Sequence, residues 1–273
     1  MVEPLTLELL GTPTVQMAGH PLPRLRSAKS YALLYYLAVT RRTQPRTVLA
    51  GLFWGDVDEY YARRNLNRTL SDLTQHVGDH LLVDRQSLAF AQEQPYRLDV
   101  AMLEAATQRQ PTAQTVPELT AAIERYRGDF LEGFYVQDAP EFEQWVLLER
   151  ARLRVSALQL LDALSRFHAE QTDLTRAMTY TRRILQLEPW REEAHRQLML
   201  LLAQSGQRSA ALAQFELCCQ ALRSELAVEP ETETLDLVAR IRSGRFDKLA
   251  RGQDDKMILL ANSFVKKYLK KAI

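Results

Sequence analysis

Residues 62–77 read Ala-Arg-Arg-Asn-Leu-Asn-Arg-Thr-Leu-Ser-Asp-Leu-Thr-Gln-His-Val. Leu66, Leu70, Leu73 and Val77 recur at spacings of four, three and four, one stripe of an α-helix. At about 100° per residue, Arg64, Arg68, Ser71 and Gln75 fall on the opposite side, with Asn67 at its edge. Such a helix needs an apolar layer behind it. Its front carries Arg, Asn, Ser and Gln, while Asp72 lies off that front. Taken alone, the face fits an ordinary solvated surface. The same side chains also suit base edges and phosphates in a DNA major groove. The surroundings of the helix decide between the two.

Upstream, Leu5-Thr-Leu-Glu-Leu-Leu ends at Gly11, Thr14-Val-Gln-Met reaches the turn Ala18-Gly19-His20, and Pro21-Leu-Pro-Arg-Leu follows. Alternating polarity with glycine punctuation predicts a small antiparallel sheet. Ser27 then caps a helix from about Ala28 to Val39, and a shorter helix runs from about Arg46 to Trp54 and stops at Gly55. Asp56–Tyr60 links it to the 62–77 helix, which ends at Gly78. Leu81-Leu-Val-Asp and Leu88-Ala-Phe-Ala flank Arg85-Gln86-Ser87 as a hairpin would, and Tyr96-Arg-Leu-Asp-Val is read as a last strand. Strands, three helices and a hairpin make a winged helix-turn-helix with an extra N-terminal sheet. Its third helix is the expected recognition helix, and Arg85 and Gln86 form the tip of the wing.

From Met102 the pattern becomes helical and remains so to about Arg242. Helix pairs are expected at roughly 151–186 and 190–224, approached by 117–150. Ala177, Ala194, Gly206, Ala210 and Ala213 stand where close approach is needed. Leu187-Glu-Pro-Trp and Val228-Glu-Pro-Glu, 41 residues apart, each close a helix. This punctuation resembles a TPR-like solenoid, with a loose match to a strict 34-residue repeat.

Charge divides along the same line. From Arg24 to Asp72 there are nine Lys/Arg against four Asp/Glu; from Ala101 to Arg150 there are four against nine. A basic module followed by an acidic one suits a nucleic-acid binder joined to a protein-interaction domain. The only cysteines, Cys218 and Cys219, are adjacent, which argues against a disulfide framework or zinc knuckle and for a reduced, cytoplasmic compartment. No basic region followed by an apolar run opens the chain, so no signal peptide is expected. The longest strongly apolar run, near Leu198–Ala203, falls far short of the ~20 residues that span a bilayer.

Catalysis finds little to stand on. Arg24-Leu-Arg-Ser-Ala-Lys-Ser ends like a phosphate loop but has no glycine for close backbone approach. His76 and His80 are separated by Gly78 and read as polar residues at a helix end rather than a metal pair. No enzyme activity, metal or cofactor is expected.

With these residues in view, the chain resembles the SARP-type family of bacterial transcriptional activators. Their OmpR-type winged helix is fused to a helical bacterial transcriptional activator domain. The resemblance covers about 5–243. In the first domain it rests on Leu9-Leu-Gly, Ser27-Ala-Lys-Ser-Tyr-Ala-Leu-Leu, Leu52-Phe-Trp-Gly-Asp, Ala62-Arg-Arg-Asn-Leu and Tyr96-Arg-Leu-Asp. In the second it rests on Tyr126-Arg-Gly-Asp-Phe-Leu-Glu-Gly, Trp145 with Glu149-Arg150, Glu188-Pro-Trp-Arg-Glu-Glu-Ala-His, Ser205-Gly-Gln-Arg-Ser-Ala-Ala-Leu and Leu222-Arg-Ser-Glu-Leu-Ala-Val-Glu-Pro. Two departures stand out. Thr74 and Gln75 occupy positions where the family commonly carries an Arg pair, implying weaker or differently specified DNA binding. Ala227 replaces the usual Gly of the closing motif, at a helix-ending turn.

The expected fold is thus an α+β winged helix-turn-helix (1–100), an all-α TPR-like domain (101–244), and a linker with a basic amphipathic tail (245–273). Arg64, Asn67, Arg68 and Ser71 are the expected base-reading residues. Lys29, Tyr61, Arg63, Asn65 and Gln75, with Arg85 and Gln86 of the wing, are assigned to the DNA backbone. Trp54 is expected to pack, and so are Tyr126, Gly128, Trp145, Trp190 and Leu200. The resemblance implies that the loop holding Asp56, Asp58 and Glu59 contacts RNA polymerase. The expected function is a transcriptional activator on repeated promoter DNA, with a homodimer on DNA as a further candidate assembly. The alternative is a TPR-like interaction scaffold whose winged helix no longer reads DNA.

Overall fold

The computed structural model describes residues 2–244. They divide into two compact units, one ending at Leu160 and the other beginning at Leu161.

In the first unit, β1 (Leu5–Glu8) pairs antiparallel with β2 (Thr14–Met17), which pairs with β3 (His20–Pro21). Leu5 and Leu7 are fully buried while Thr6 and Glu8 face outward, the alternation of a strand with one covered face. Ser27 caps α1 (Ala28–Thr40) by accepting from the Ser30 N–H at 3.1 Å. A two-residue strand, β4 (Gln44–Pro45), precedes α2 (Arg46–Trp54); two residues carry no periodicity, so this strand is not legible in sequence. The third helix, α3, runs Glu59–Val77, three residues longer at its start than its leucine stripe suggests. Asp58 causes the extension, accepting from the Tyr60 N–H at 2.9 Å as an N-cap. A 3-10 turn (Gly78–His80) leads into the hairpin of β5 (Leu81–Val83) and β6 (Ser87–Phe90), whose sheet is ordered β4-β6-β5. The last strand, β7 (Tyr96–Leu98), pairs parallel to β1, so the N-terminal sheet is mixed rather than antiparallel, in the order β3-β2-β1-β7.

The unit runs past residue 100, where strand-forming sequence ends, because later residues complete its core. Next come α4 (Asp99–Thr107), α5 (Val116–Glu124) and an irregular stretch leading to α6 (Pro140–Glu170), so 117–150 holds no helix pair. Within that stretch, the Leu131 N–H donates to Leu9 O at 2.9 Å, Arg127 N–H to Leu10 O at 3.1 Å, and Gly11 N–H to Asp129 O at 3.1 Å. The matched motifs Leu9-Leu-Gly and Tyr126-Arg-Gly-Asp-Phe-Leu-Glu-Gly therefore form one seam. Buried Asp99 reinforces it, accepting from the N–H groups of Leu9 and Leu10 at 2.7 and 2.8 Å. Aromatic contacts continue the core: Tyr36 meets Trp145 at 4.9 Å, and Phe53 meets Phe142 at 5.2 Å.

The second unit takes the end of α6, then α7 (Leu174–Leu187), α8 (Glu192–Gln204), α9 (Arg208–Glu225) and α10 (Thr232–Arg242). Its core includes Ala177, Leu198, Leu202, Ala211, Val238 and Ile241. Ala177 and Ala194 are buried as expected, but Ala210 and Ala213 are exposed; α9 is phased so that Ala211 makes the close approach. Gly206, at φ +78°, makes the tight turn between α8 and α9. Ser165 of α6 joins three helices, donating to Ala177 O at 3.0 Å and accepting from Gln197 Nε2 at 3.0 Å. Tyr126 is buried, whereas Trp190 and Leu200 are half-buried. No helix among the described residues is long and apolar enough to cross a membrane. The basic amphipathic segment at 245–273 lies outside them.

Candidate nucleic-acid interface

The α2–α3 pair is fixed from behind by Leu49, Phe53, Leu66, Leu70 and Leu73, all buried. With that face covered, α3 turns Arg64, Asn67, Arg68 and Ser71 to solvent together. Thr74 and Gln75 continue the same exposed face toward the C-terminal end, where it is uncharged. Asn65 is half-buried on the flank. Neither Arg64 nor Arg68 has an ion-pair partner among the described residues, so both guanidinium groups stand unneutralised. Arg63 differs: it pairs with Glu59 at 2.6 Å, one turn back.

Asp72 explains itself structurally. It is buried and faces α1, accepting from Ser30 Oγ at 2.7 Å and the Arg26 N–H at 3.0 Å. The acid within α3 thus anchors the helix and leaves the face of Arg64, Asn67, Arg68 and Ser71 free of negative charge.

The wing tip places Arg85 and Gln86 in solvent between β5 and β6. Asp84 accepts from the Gln86 N–H at 3.3 Å, and Gln86 O accepts from the Arg46 N–H at 2.9 Å, tying the tip to the start of α2. Arg46 was not singled out from sequence. Its Nε is buried without a hydrogen-bond partner among the described residues.

Lys29 is directed inward. Its ammonium donates to Phe53 O at 2.6 Å and Asp138 O at 2.9 Å and lies 5.3 Å from the Trp54 ring centroid. Burial lowers its pKa, opposed by the carboxylates of Asp56 and Asp138. Two carbonyls therefore hold the group that sequence reading assigned to a phosphate, and the second is 109 positions away. Of the acidic loop, Asp58 is committed to the helix cap and Glu59 to Arg63, while Asp56 is exposed.

Tyr60 was also missed. It is 68% exposed, beside Tyr61 at 56%, with ring centroids 5.5 Å apart. On the helical wheel it shares the face of Arg64, Asn67 and Ser71, and only the cap at Asp58 reveals that the helix begins early enough to include it.

No group of three or more metal-ligating side chains occurs among the described residues. Open surface depressions among the described residues include one of about 550 Å³ lined by Glu216, Cys219, Gln220, Arg223 and Ser224 on α9, and one of about 240 Å³ beside Glu8 and Arg125.

A winged helix with an outward third helix, followed by antiparallel helical hairpins, is the architecture of a transcriptional regulator. The family model described as "Bacterial transcriptional activator domain" matches residues 96–242. The chain belongs to that family, in agreement with its resemblance to SARP-type activators. Its fold is similar to that of Mycobacterium tuberculosis EmbR, solved in complex with a low affinity phosphopeptide. The TM-score is 0.63 at 19% identity, over 92% of this chain and 70% of that one. No curated protein matches the chain by sequence.

Proposed function

We propose that this protein is a sequence-specific DNA-binding regulator that activates transcription from repeated promoter sites in the cytoplasm. The exposed face of α3 carries this reading: two arginines without ion-pair partners, sharing that face with Asn67 and Ser71, on a helix anchored from behind. Arg64 and Arg68 have the donors for guanine or phosphate, Asn67 for adenine, and Ser71 for either base or backbone. Tyr61, Asn65, Gln75, Arg85 and Gln86 flank them toward the DNA backbone, with Arg63 held in reserve by Glu59. Lys29 is left out of this set, since its ammonium is occupied. The exposed Asp56 and its neighbours Asp58 and Glu59 offer an acidic surface to RNA polymerase. A homodimer on adjacent repeats fits such a site. The family is regulatory, and no catalytic role is proposed.

Selection of bound duplexes from a random pool, followed by footprinting, tests the reading. The expected result is a defined repeated motif, with affinity falling steeply as salt rises because bound phosphates release counterions. Binding that ignores sequence, or none, sinks it. The uncharged end at Thr74 and Gln75 would then mark a winged helix retained as part of an interaction scaffold.

A further inference from the structure

Tyr60 stands on the outer face of α3, one turn before Arg64. At about 100° per residue it falls within about 40° of Arg64, Asn67 and Ser71. Its side chain is 68% exposed, and among the described residues its hydroxyl has no hydrogen-bond partner. Tyr61 meets the ring edge to face, with centroids 5.5 Å and planes 79° apart. A ring supported on one side has less rotamer freedom to lose on binding. The start of the helix does not depend on that ring, because the Asp58 cap takes only the Tyr60 backbone N–H, at 2.9 Å.

The charges around Tyr60 favour its end of the helix as the one that enters DNA. Arg64 and Arg68 stand before and at the middle of α3, while the end at Thr74 and Gln75 is uncharged. The carboxylates next to Tyr60 are engaged within the protein, Asp58 in the cap and Glu59 with Arg63 at 2.6 Å. Recognition helices meet base edges with their N-terminal residues. There an exposed ring offers a flat apolar surface, and the apolar feature of the major groove is the C5-methyl of thymine.

We propose that Tyr60, given the DNA-reading assignment of α3, is a specificity-determining residue whose ring packs on the methyl group of one thymine. Arg64 lies about 6 Å further along the helix at 1.5 Å per residue, and base pairs rise by about 3.4 Å. For a helix lying along the groove, the thymine therefore stands about two base pairs from the base that Arg64 reads.

Replacing each thymine of the duplex selected by the parent with uracil, one at a time, removes only the methyl. Gel-shift midpoints are measured for the full chain and for Tyr60→Phe and Tyr60→Ala. Selection with Arg64→Ala locates the base read by Arg64. Uracil at one thymine near that base should weaken the parent and Tyr60→Phe about fourfold, the worth of one buried carbon. Tyr60→Ala should bind the thymine and uracil duplexes equally, with a urea midpoint matching the parent's. Uracil sensitivity that persists in Tyr60→Ala would overturn the contact. So would a defined motif with no sensitive thymine near the Arg64 base, which leaves the DNA-reading role of α3 standing. If Tyr60→Phe weakens as much as Tyr60→Ala on both duplexes, the hydroxyl rather than the ring makes the contact and the proposal falls. A parent that selects no motif would remove the DNA-reading role and this contact together.

Discussion

The hydroxyl of Ser30, buried at the start of α1, donates to Asp72 Oδ2 on α3 at 2.7 Å. The Arg26 N–H donates to the same oxygen at 3.0 Å, and the Arg26 guanidinium stands 3.6 Å from Oδ1. One carboxylate therefore fixes how α3 sits against the helix beneath it. Asp72→Ala would strand a buried hydroxyl and a backbone donor, at a cost of about 2–3 kcal/mol. Asp72→Asn keeps one acceptor and should recover part of that loss. Urea midpoints of the two variants check the order, and equal midpoints for Asp72→Ala and the parent would show that the anchor contributes nothing.

Arg64 and Arg68 make the opposite case, since neither supports the fold by ion pairing. Arg64→Ala with Arg68→Ala should leave the urea midpoint within about 0.5 kcal/mol, as exposed substitutions do. Binding to the selected duplex should weaken by roughly 2–6 kcal/mol, at ~1–3 for each good contact. An unchanged gel-shift midpoint would remove both residues from the interface.

These two cases show what was legible in sequence and why. The leucine stripe of α3 and the Ser27 cap are local patterns set by periodicity and one side chain, so they could be read directly. Partnerships across the chain could not. Nothing near Lys29 announces the carbonyl of Asp138, and nothing in Tyr96-Arg-Leu says that it lies parallel to Leu5-Thr-Leu. Tyr60 was lost for a smaller reason: three residues of helix before the first apolar repeat leave no periodic signal.

The seam between β1 and the 126–133 loop depends on Gly11. Its φ of +115° is closed to side chains, and an added Cβ would press on Arg127 Cβ and Gly128 N, both at 3.4 Å. Gly11→Ala should therefore destabilise the first unit by about 1–3 kcal/mol. Gly51→Ala is the control, since nothing lies within 4 Å of its added methyl and the site is helical. If tryptophan-monitored unfolding shifts equally for both variants, the seam is not what holds this region.

His195 gives the helical unit an acid sensitivity. Its Nε2 lies 2.8 Å from Pro189 O and so carries the proton, leaving Nδ1 to accept from Gln214 Nε2 at 2.7 Å. Burial lowers its pKa from 6.5, outweighing the opposing effects of Pro189, Gln214 and Glu192. A histidine with a lowered folded pKa stabilises the fold above its unfolded value, and that stability is lost as pH falls through the folded one. His168, also lowered chiefly by burial, acts in the same direction. Stability should thus fall below about pH 6.5, by at most ~1.4 kcal/mol per pH unit for each histidine. His195→Gln should flatten the slope between pH 7.5 and 5 whatever it does to absolute stability. A slope identical to the parent's would exclude His195 as a source.

Ala227 stands where the closing motif usually has glycine, and its φ of +56° lies in the left-handed region. The turn cannot readily avoid it. Leu226 and Val228 both donate to Leu222 O, at 3.1 and 3.3 Å, folding the chain back over the end of α9. A left-handed conformation costs a non-glycine residue about 1–2 kcal/mol. Glycine would remove that strain but give the unfolded chain extra entropy worth about 0.4–1 kcal/mol. The strain is the larger effect, and Ala227 is exposed, so its methyl offers little packing in return. Ala227→Gly should stabilise the helical unit by about 0.5–1 kcal/mol, with Ala227→Asn falling between the two, since asparagine tolerates this conformation better than alanine. Thermal unfolding of the three chains checks the ranking, and a lower midpoint for Ala227→Gly than for the parent would mean that the methyl contributes more than the strain costs.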